Sequence, residues 1–83
     1  MATVKVGLGG PLRSAAGGRS EFEVEASNVR QMLDALAAAE PRLAPVLARG
    51  VAVAIDGEIY RDDWFRAIPA GAEVFVLPRM AGG

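Results

Sequence analysis

Only one segment of this 83-residue chain has the hydrophobic period of a long helix, and this limits the folds available to it. Residues 27–40, SNVRQMLDALAAAE, place apolar side chains three or four positions apart, which predicts one amphipathic helix. Ser27 or Asn28 can cap its start, and Pro41 marks its end because the residue before a proline avoids the helical region. One such helix can cover only one face of a sheet.

The rest of the chain is dominated by alternating apolar and polar residues, which predict strands. The predicted strands are residues 2–8, 19–26, 51–55, 58–60 and 73–77. The glycine-rich segment 9–18 is expected to be a loop, so that the first two strands form a hairpin with a long connection. Asp56-Gly57 is a tight-turn signal, and Pro78 is expected to end the last strand.

Two short segments between these strands are predicted to contain a single helical turn each. Residues 42–50 are an apolar connection closed by Gly50, and residues 61–68 place Trp64 and Ile68 inward. The resulting order, β-β-α-β-β-β, is typical of an α+β protein with the β-grasp, or ubiquitin-like, fold. We expect a mixed sheet of four to five strands packed on one main helix, in a single domain of residues 1–83 with a flexible tail at 79–83.

The composition excludes several functional classes. There is no cysteine and no histidine, which removes disulfides, iron–sulfur ligation, thiolate nucleophiles, most zinc sites and the commonest general base near neutral pH. The net charge is -1 and no basic block is present, so nucleic-acid binding is not expected. No apolar run approaches the ~20 residues of a transmembrane helix, and no signal peptide is recognised. A cytoplasmic protein without a bound metal or cofactor is therefore expected.

Three segments resemble the MoaD/ThiS sulfur carriers, a family of bacterial ubiquitin-like proteins. GPLRSAAGG at 10–18 is similar to the first loop of the family, and LAAAEPRLAPVLARGVAVAIDGE at 36–58 to its helix end, connection and third strand. IPAGAEVFVLPRMAGG at 68–83 is similar to its closing strand and tail, which ends on Gly82-Gly83. The resemblance covers nearly the whole chain.

The resemblance implies a function for the final carboxylate. In this family an adenylyltransferase of the ubiquitin-activating type uses ATP to adenylate the terminal glycine, here Gly83, and sulfur then replaces AMP to give a thiocarboxylate. A second partner, such as the large catalytic subunit of molybdopterin synthase, receives the sulfur. The carrier supplies no catalytic side chain, so it is expected not to be an enzyme.

Partner binding is predicted for the last strand and the tail. Met80, Ala81 and Gly82 precede the reactive position, and Gly82 can approach a partner's backbone closely because it has no Cβ atom. Arg79 is placed to pair with an acidic groove, or else it is solvated. In the last strand Val74 and Val76 share one face, and Phe75 and Leu77 the other. Phe75 and Leu77 either belong to an exposed docking patch or lie within a fully buried central strand.

Three functions remain consistent with the sequence. The first is a sulfur carrier, with the small subunit of molybdopterin synthase as the leading case and a thiamine, cysteine or other biosynthetic carrier as the alternative. The second is a protein modifier, in which Gly83 forms an isopeptide bond with a lysine. The third is a β-grasp interaction domain with an inert tail.

Overall fold

The computed structural model of the chain describes residues 2–61 and 63–78, in which a five-stranded mixed sheet packs against one long helix. The strands are β1 (Ala2–Leu8), β2 (Glu21–Ala26), β3 (Val51–Ile55), β4 (Glu58–Arg61) and β5 (Glu73–Pro78). The helices are α1 (Gly10–Ala15), α2 (Val29–Ala39) and α3 (Ala44–Ala48), with a 3₁₀ turn at Pro41–Leu43. The predicted β-grasp fold is confirmed.

The sheet places the last strand at its centre. The strand order is β2-β1-β5-β3-β4. β1 pairs antiparallel with β2, as the hairpin prediction required, and parallel with β5. On its other side β5 pairs antiparallel with β3, which forms a hairpin with β4. The backbone of β5 is therefore hydrogen-bonded to a neighbour on each side.

The core lies between the sheet and the helices. In β2 buried and exposed residues alternate strictly, as its sequence pattern predicts. The largest side chains that are completely buried come from both layers: Val6, Leu12, Met32, Leu36, Leu43, Val74 and Val76. Since α1, α2 and the 3₁₀ turn all contribute to this one cluster, the helical layer lies on a single side of the sheet. No helix in residues 2–61 and 63–78 is long and apolar enough to cross a membrane.

The start of α2 is capped by its own sequence and by a distant loop. The side-chain oxygen of Asn28 accepts a hydrogen bond from the N–H of Gln31 at 2.8 Å, which confirms Asn28 as the cap. The N–H groups of Val29 and Arg30 donate to the backbone carbonyls of Arg66 at 3.0 Å and Trp64 at 2.8 Å. The N–H groups that a helix leaves unpaired at its start are thus satisfied.

The segment after β4 makes a single hydrogen-bonded turn but forms no helix in its described residues, 61 and 63–68. In this turn the N–H of Arg66 donates to the carbonyl of Asp63 at 3.1 Å. The chain also runs beside the start of α2, with a bridge between Asn28 and Ala67. Ile68 is buried as predicted, whereas Trp64 is only partly buried against the core.

The predicted loop at 9–18 also differs, because it contains α1. Its Leu12 is fully buried and Ala16, which follows it, is 1% exposed. A helix of six residues is not stable by itself, so this burial accounts for it. The glycine and proline residues of the segment favour a loop, so local sequence preference did not predict this helix.

The Asp56-Gly57 turn joins two parts of the sheet. Both residues have positive φ, 49° and 87°, as a tight hairpin turn between antiparallel strands requires. Asp56 also accepts a hydrogen bond through Oδ1 from the N–H of Glu73 at 2.9 Å, and its own N–H donates to the Glu73 carbonyl at 2.8 Å. The turn between β3 and β4 therefore fixes the start of β5.

An ion pair between Glu40 and Arg42, just after α2, should make the stability of the protein depend on pH. The Arg42 guanidinium donates two hydrogen bonds to the Glu40 carboxylate, both 2.8 Å long, and with a third from the Arg42 backbone N–H at 3.3 Å these lower the pKa of Glu40 from 4.5 to about 2. A carboxyl group with a lowered folded-state pKa stabilises the fold fully above its unfolded pKa, and this contribution is lost as the pH falls through the folded value. Glu40→Gln should therefore destabilise the protein at pH 7, and its difference from the wild type should shrink between about pH 5 and about pH 2.

Urea unfolding at a series of pH values measures this difference. Asp34→Asn is the control, since Asp34 forms a solvent-exposed pair with Arg30 at 3.5 Å, and such pairs contribute little. A Glu40→Gln difference that stays constant down to pH 2 would contradict the assignment.

Candidate functional site

The face of the sheet opposite the helices, called the open face below, carries the predicted docking residues. In β5, Val74 and Val76 point into the core and are 2% and 0% exposed. Phe75 points the other way and is 49% exposed, and Leu77 on the same side is partly exposed. The last strand is therefore not fully buried, and Phe75 and Leu77 belong to the surface of the sheet.

Small residues surround these two side chains. The register places Ala54 of β3 opposite Phe75, and Ala52 opposite Leu77. Ile59 of β4 lies beyond Ala54 and is 57% exposed. We call Ala54, Ile59, Phe75 and Leu77, together with the 7% exposed Ala52, the apolar patch. Contiguous apolar groups that are exposed, as Ile59 and Phe75 are, mark sites of contact with other proteins.

Two glycines form the floor under the patch. A Cβ atom built on Gly7 of β1 would lie 2.5 Å from Cε1 and 2.6 Å from Cδ1 of Phe75, so the ring rests on the backbone of Gly7. A Cβ atom on Gly9 would lie 2.8 Å from Cδ2 of Leu77. Glycine in a strand often marks a close approach of this sort. The two glycines therefore set how far Phe75 and Leu77 stand out from the sheet.

A shallow groove of about 530 Å³ begins at Phe75 and extends toward the β2 edge of the open face. Charged side chains line its far part: Lys5, Glu21, Glu23 and Glu73. Among residues 2–61 and 63–78, no three His, Cys, Asp or Glu side chains gather into a group able to hold a metal ion. No polar or charged residue among the same described residues is buried.

The predicted tail residues Arg79, Met80, Ala81, Gly82 and Gly83 lie outside the described residues. The structure does describe where the chain leads into them. Pro78, the last residue of β5, pairs with Val51 of β3 and directly follows Leu77. The apolar patch and the start of the tail are thus parts of the same strand.

Sequence reasoning missed the residues that the patch draws from other strands. Ala52, Ala54 and Ile59 reach Phe75 and Leu77 only through the strand order, and Gly7 through the parallel pairing of β1 with β5. The alternating alanines of VAVAI could have indicated that β3 forms part of this patch, because small side chains on one face of a strand leave room for larger neighbours.

A model of the ThiS family matches residues 6–83. The chain belongs to this family. A search of curated proteins found no match. Among solved structures, the ThiS-family chain is similar to small archaeal modifier protein 1 of Haloferax volcanii, with 28% identity, a TM-score of 0.78 and coverage of 99% of this chain and 100% of that one.

Two further solved structures share the fold. The small archaeal modifier protein 1 of Methanosarcina acetivorans is 26% identical with a TM-score of 0.80, covering 100% of this chain and 98% of that one. The complex of subunits 1 and 2 of the molybdopterin-converting factor of Helicobacter pylori contains a chain that is 22% identical, with a TM-score of 0.67 and coverage of 98% and 99%. The ThiS-family chain is accordingly a ThiS/MoaD-type sulfur carrier or a ubiquitin-like small modifier.

The contrast between the two sides of β5 gives a matched pair of variants. Phe75→Asp exposes its charge to water and should cost about 1–2 kcal/mol, from half of a phenylalanine burial and the lower strand propensity of aspartate. Val76→Asp buries an unpaired charge and should unfold most of the protein, whose total stability we take as roughly 5–15 kcal/mol. Circular dichroism and urea unfolding distinguish the two. Equal unfolding of both variants would place Phe75 in the core.

The close contact at Gly7 predicts the effect of a single added methyl group. Gly7→Ala should push the Phe75 ring outward, because no Cβ atom tolerates a carbon at 2.5 Å. The stability should change by no more than about 1 kcal/mol, since alanine suits a strand interior better than glycine. Nuclear Overhauser contacts from the Phe75 ring to β1 measure the displacement. Lys5→Ala, on the same side of β1, should leave these contacts unchanged.

Proposed function

We propose that this protein is a sulfur carrier whose C-terminal residue, Gly83, is adenylated and converted to a thiocarboxylate. The observation that carries this proposal is the ThiS family match, which continues through residue 83 and so includes Gly82 and Gly83. The leading assignment is the small subunit of molybdopterin synthase, and the alternative is a carrier for thiamine or another biosynthetic product. The proposed location is the cytoplasm.

The chemistry needs activation because a terminal carboxylate has a pKa of about 3.3–3.7 and is anionic at neutral pH. Attack of the Gly83 carboxylate on ATP forms an acyl-adenylate and releases pyrophosphate. A hydrosulfide-type nucleophile then adds to the acyl carbon, the C–O bond to AMP breaks with its electron pair, and loss of a proton leaves the thiocarboxylate. In this scheme the reactive group of the carrier belongs to its main chain.

The folded domain provides the surface to which partner proteins bind. We assign the apolar patch to docking, with Phe75 and Leu77 as its central side chains, and Arg79 to Gly82 to the path into the partner's active site. The proposed partners are an adenylyltransferase of the ubiquitin-activating type, which uses the ATP, and a sulfur-accepting catalytic subunit. The Helicobacter pylori complex of subunits 1 and 2 supports a protein partner of the second kind.

A second function, protein modification, is favoured by a specific observation. The likeness to small archaeal modifier protein 1 of Haloferax volcanii, at 28% identity over 99% of this chain, is at least as extensive as the likeness to the Helicobacter pylori molybdopterin-converting factor chain, at 22% identity over 98%. In that case the same adenylate would be transferred to a lysine amine and give an isopeptide bond. The two functions share adenylation and separate at the step that follows it.

The tail itself provides the test. Incubation of the protein with ATP, the adenylyltransferase and a sulfide source should raise its intact mass by one oxygen-to-sulfur exchange. A variant with one alanine appended after Gly83 should gain no mass, because the reactive carbonyl then belongs to another residue. A variant with Gly82 and Gly83 deleted should behave in the same way.

Each alternative predicts a distinct result in this experiment. Conjugates of higher mass in a cell extract, without the sulfur exchange, would favour the modifier. Full activity of the extended variant would contradict the role of Gly83 altogether. Phe75→Asp serves as a docking control, since it keeps the tail intact and should slow the reaction by weakening the encounter with the enzyme.

A further inference from the structure

The open face has a second half, which is acidic. We call Glu21, Glu23 and Glu25 of β2, together with Glu73 at the start of β5, the acidic strip. The strict alternation of β2 directs its glutamates away from the core, and the register places Lys5 between Glu23 and Glu73. The strip thus holds four of the ten acidic residues of the chain, and the basic residues that the structure describes beside it are Lys5 and Arg19.

The charge of the strip is not neutralised within the described part of the chain. The ion pairs found there join Arg30 to Asp34, Arg42 to Glu40 and Arg66 to Asp63, and none includes a glutamate of the strip. The one side-chain hydrogen bond to the strip found there is donated by the Thr3 hydroxyl to Glu25 at 3.1 Å.

Arg19 and Arg61 are two further basic residues to be weighed against this charge. The guanidinium of Arg19 lies over the ring of Phe22, 4.1 Å from its centroid, and borders a small hollow beside Glu21 and Glu23, but it is not part of the ion pairs found in the described residues. Arg61 lies on β4, at the opposite edge of the sheet. With Lys5 and Arg19 set against its four glutamates, the strip still presents an excess of negative charge to solvent.

The strip and the apolar patch are continuous. The groove that begins at Phe75 passes Gly7 and is lined by Lys5, Glu21, Glu23 and Glu73. The register makes the same connection, because Gly7 pairs with Phe75 on one side and with Glu21 on the other. A molecule that covers the Phe75 ring therefore also lies against the first glutamates of β2.

We propose that the activating enzyme carries lysine or arginine side chains, beside its pocket for Phe75, that face the acidic strip. This inference rests on the proposed function, since it takes the adenylyltransferase as the occupant of the open face. Complementary charges at the edge of an interface steer the encounter and fix its orientation more than they add to affinity. Here they align β5, and with it the start of the tail, before the apolar contact closes.

The charge decides between classes of partner. A nucleic acid or an anionic lipid surface would be repelled by uncompensated glutamates, whereas a basic protein surface is attracted. The competing explanation is that the glutamates only protect the exposed edge of β2 from pairing with other strands, a common use of charge at sheet edges. That explanation predicts a change in aggregation but none in binding.

ATP–pyrophosphate exchange tests the proposal, with this protein as the varied substrate of the ubiquitin-activating-type adenylyltransferase of its source organism. Glu21→Lys and Glu23→Lys should each raise the KM for the carrier by about three- to tenfold at low salt, with kcat nearly unchanged. The wild-type KM should also rise as NaCl increases from about 50 to about 200 mM. Asp34→Lys on α2 is the matched control, because it makes the same charge change on the helical side and should leave the KM unchanged.

The outcomes separate this inference from the function on which it rests. No exchange with the wild type at any salt concentration overturns the proposed function and the inference with it. An equal KM for the wild type, the two Glu→Lys variants and Asp34→Lys overturns the inference alone. A lower KM for the Glu→Lys variants overturns it as well. Aggregation of those variants, with a normal KM for the monomer recovered by size exclusion, assigns the glutamates to edge protection instead.

Discussion

The packing of α2 against one side of the sheet is the contact on which the rest of the molecule depends. Met32 and Leu36 of the helix are fully buried, as are Val6 of β1 and Val76 of the central strand β5. Because the other described helical segments join the same core cluster, this arrangement leaves the second face of the sheet uncovered. A strand at the centre of such a sheet must supply core residues on one side and surface residues on the other. The strand in question is β5, which leads into the tail.

The strands and the main helix of this fold were predictable because each has a strong local signal. The alternation in residues 2–8 and 51–55 gave the bounds of β1 and β3, and Asn28 was one of two named caps for α2. Helix α1 was not predictable in this way. Its stability comes from the burial of Leu12 in a core formed by distant parts of the chain, while its own glycine and proline indicate a loop. The path of the segment around Trp64 was not predictable for a similar reason, since the carbonyls of Trp64 and Arg66 accept hydrogen bonds from the first N–H groups of the distant helix α2.

The sequence predicted the two central side chains of the candidate site but not the residues that lie beside them. Alternation alone placed Phe75 and Leu77 on one face, and the number of predicted helices suggested that one face stayed open. Which residues lie beside them depends on the strand order, and the parallel pairing of β1 with β5 joins residues far apart in the sequence. The glycine floor under Phe75 follows from that pairing. A sequence read without it offers no reason to connect Gly7 with Phe75.

The position of β5 also limits where a partner's active site can lie. Its backbone is paired with β1 and with β3, so Pro78 has a fixed place relative to the apolar patch. From Pro78 to Gly83 the chain advances five residues, which reach roughly 16–18 Å when fully extended. Under the proposed function, an adenylyltransferase that holds Phe75 and Leu77 would therefore need its adenylation site within about that distance of Pro78. Docking at the patch would then restrict the final carboxylate to a volume within that reach, so that in the proposed function the folded domain contributes to the reaction by placing its own chain end.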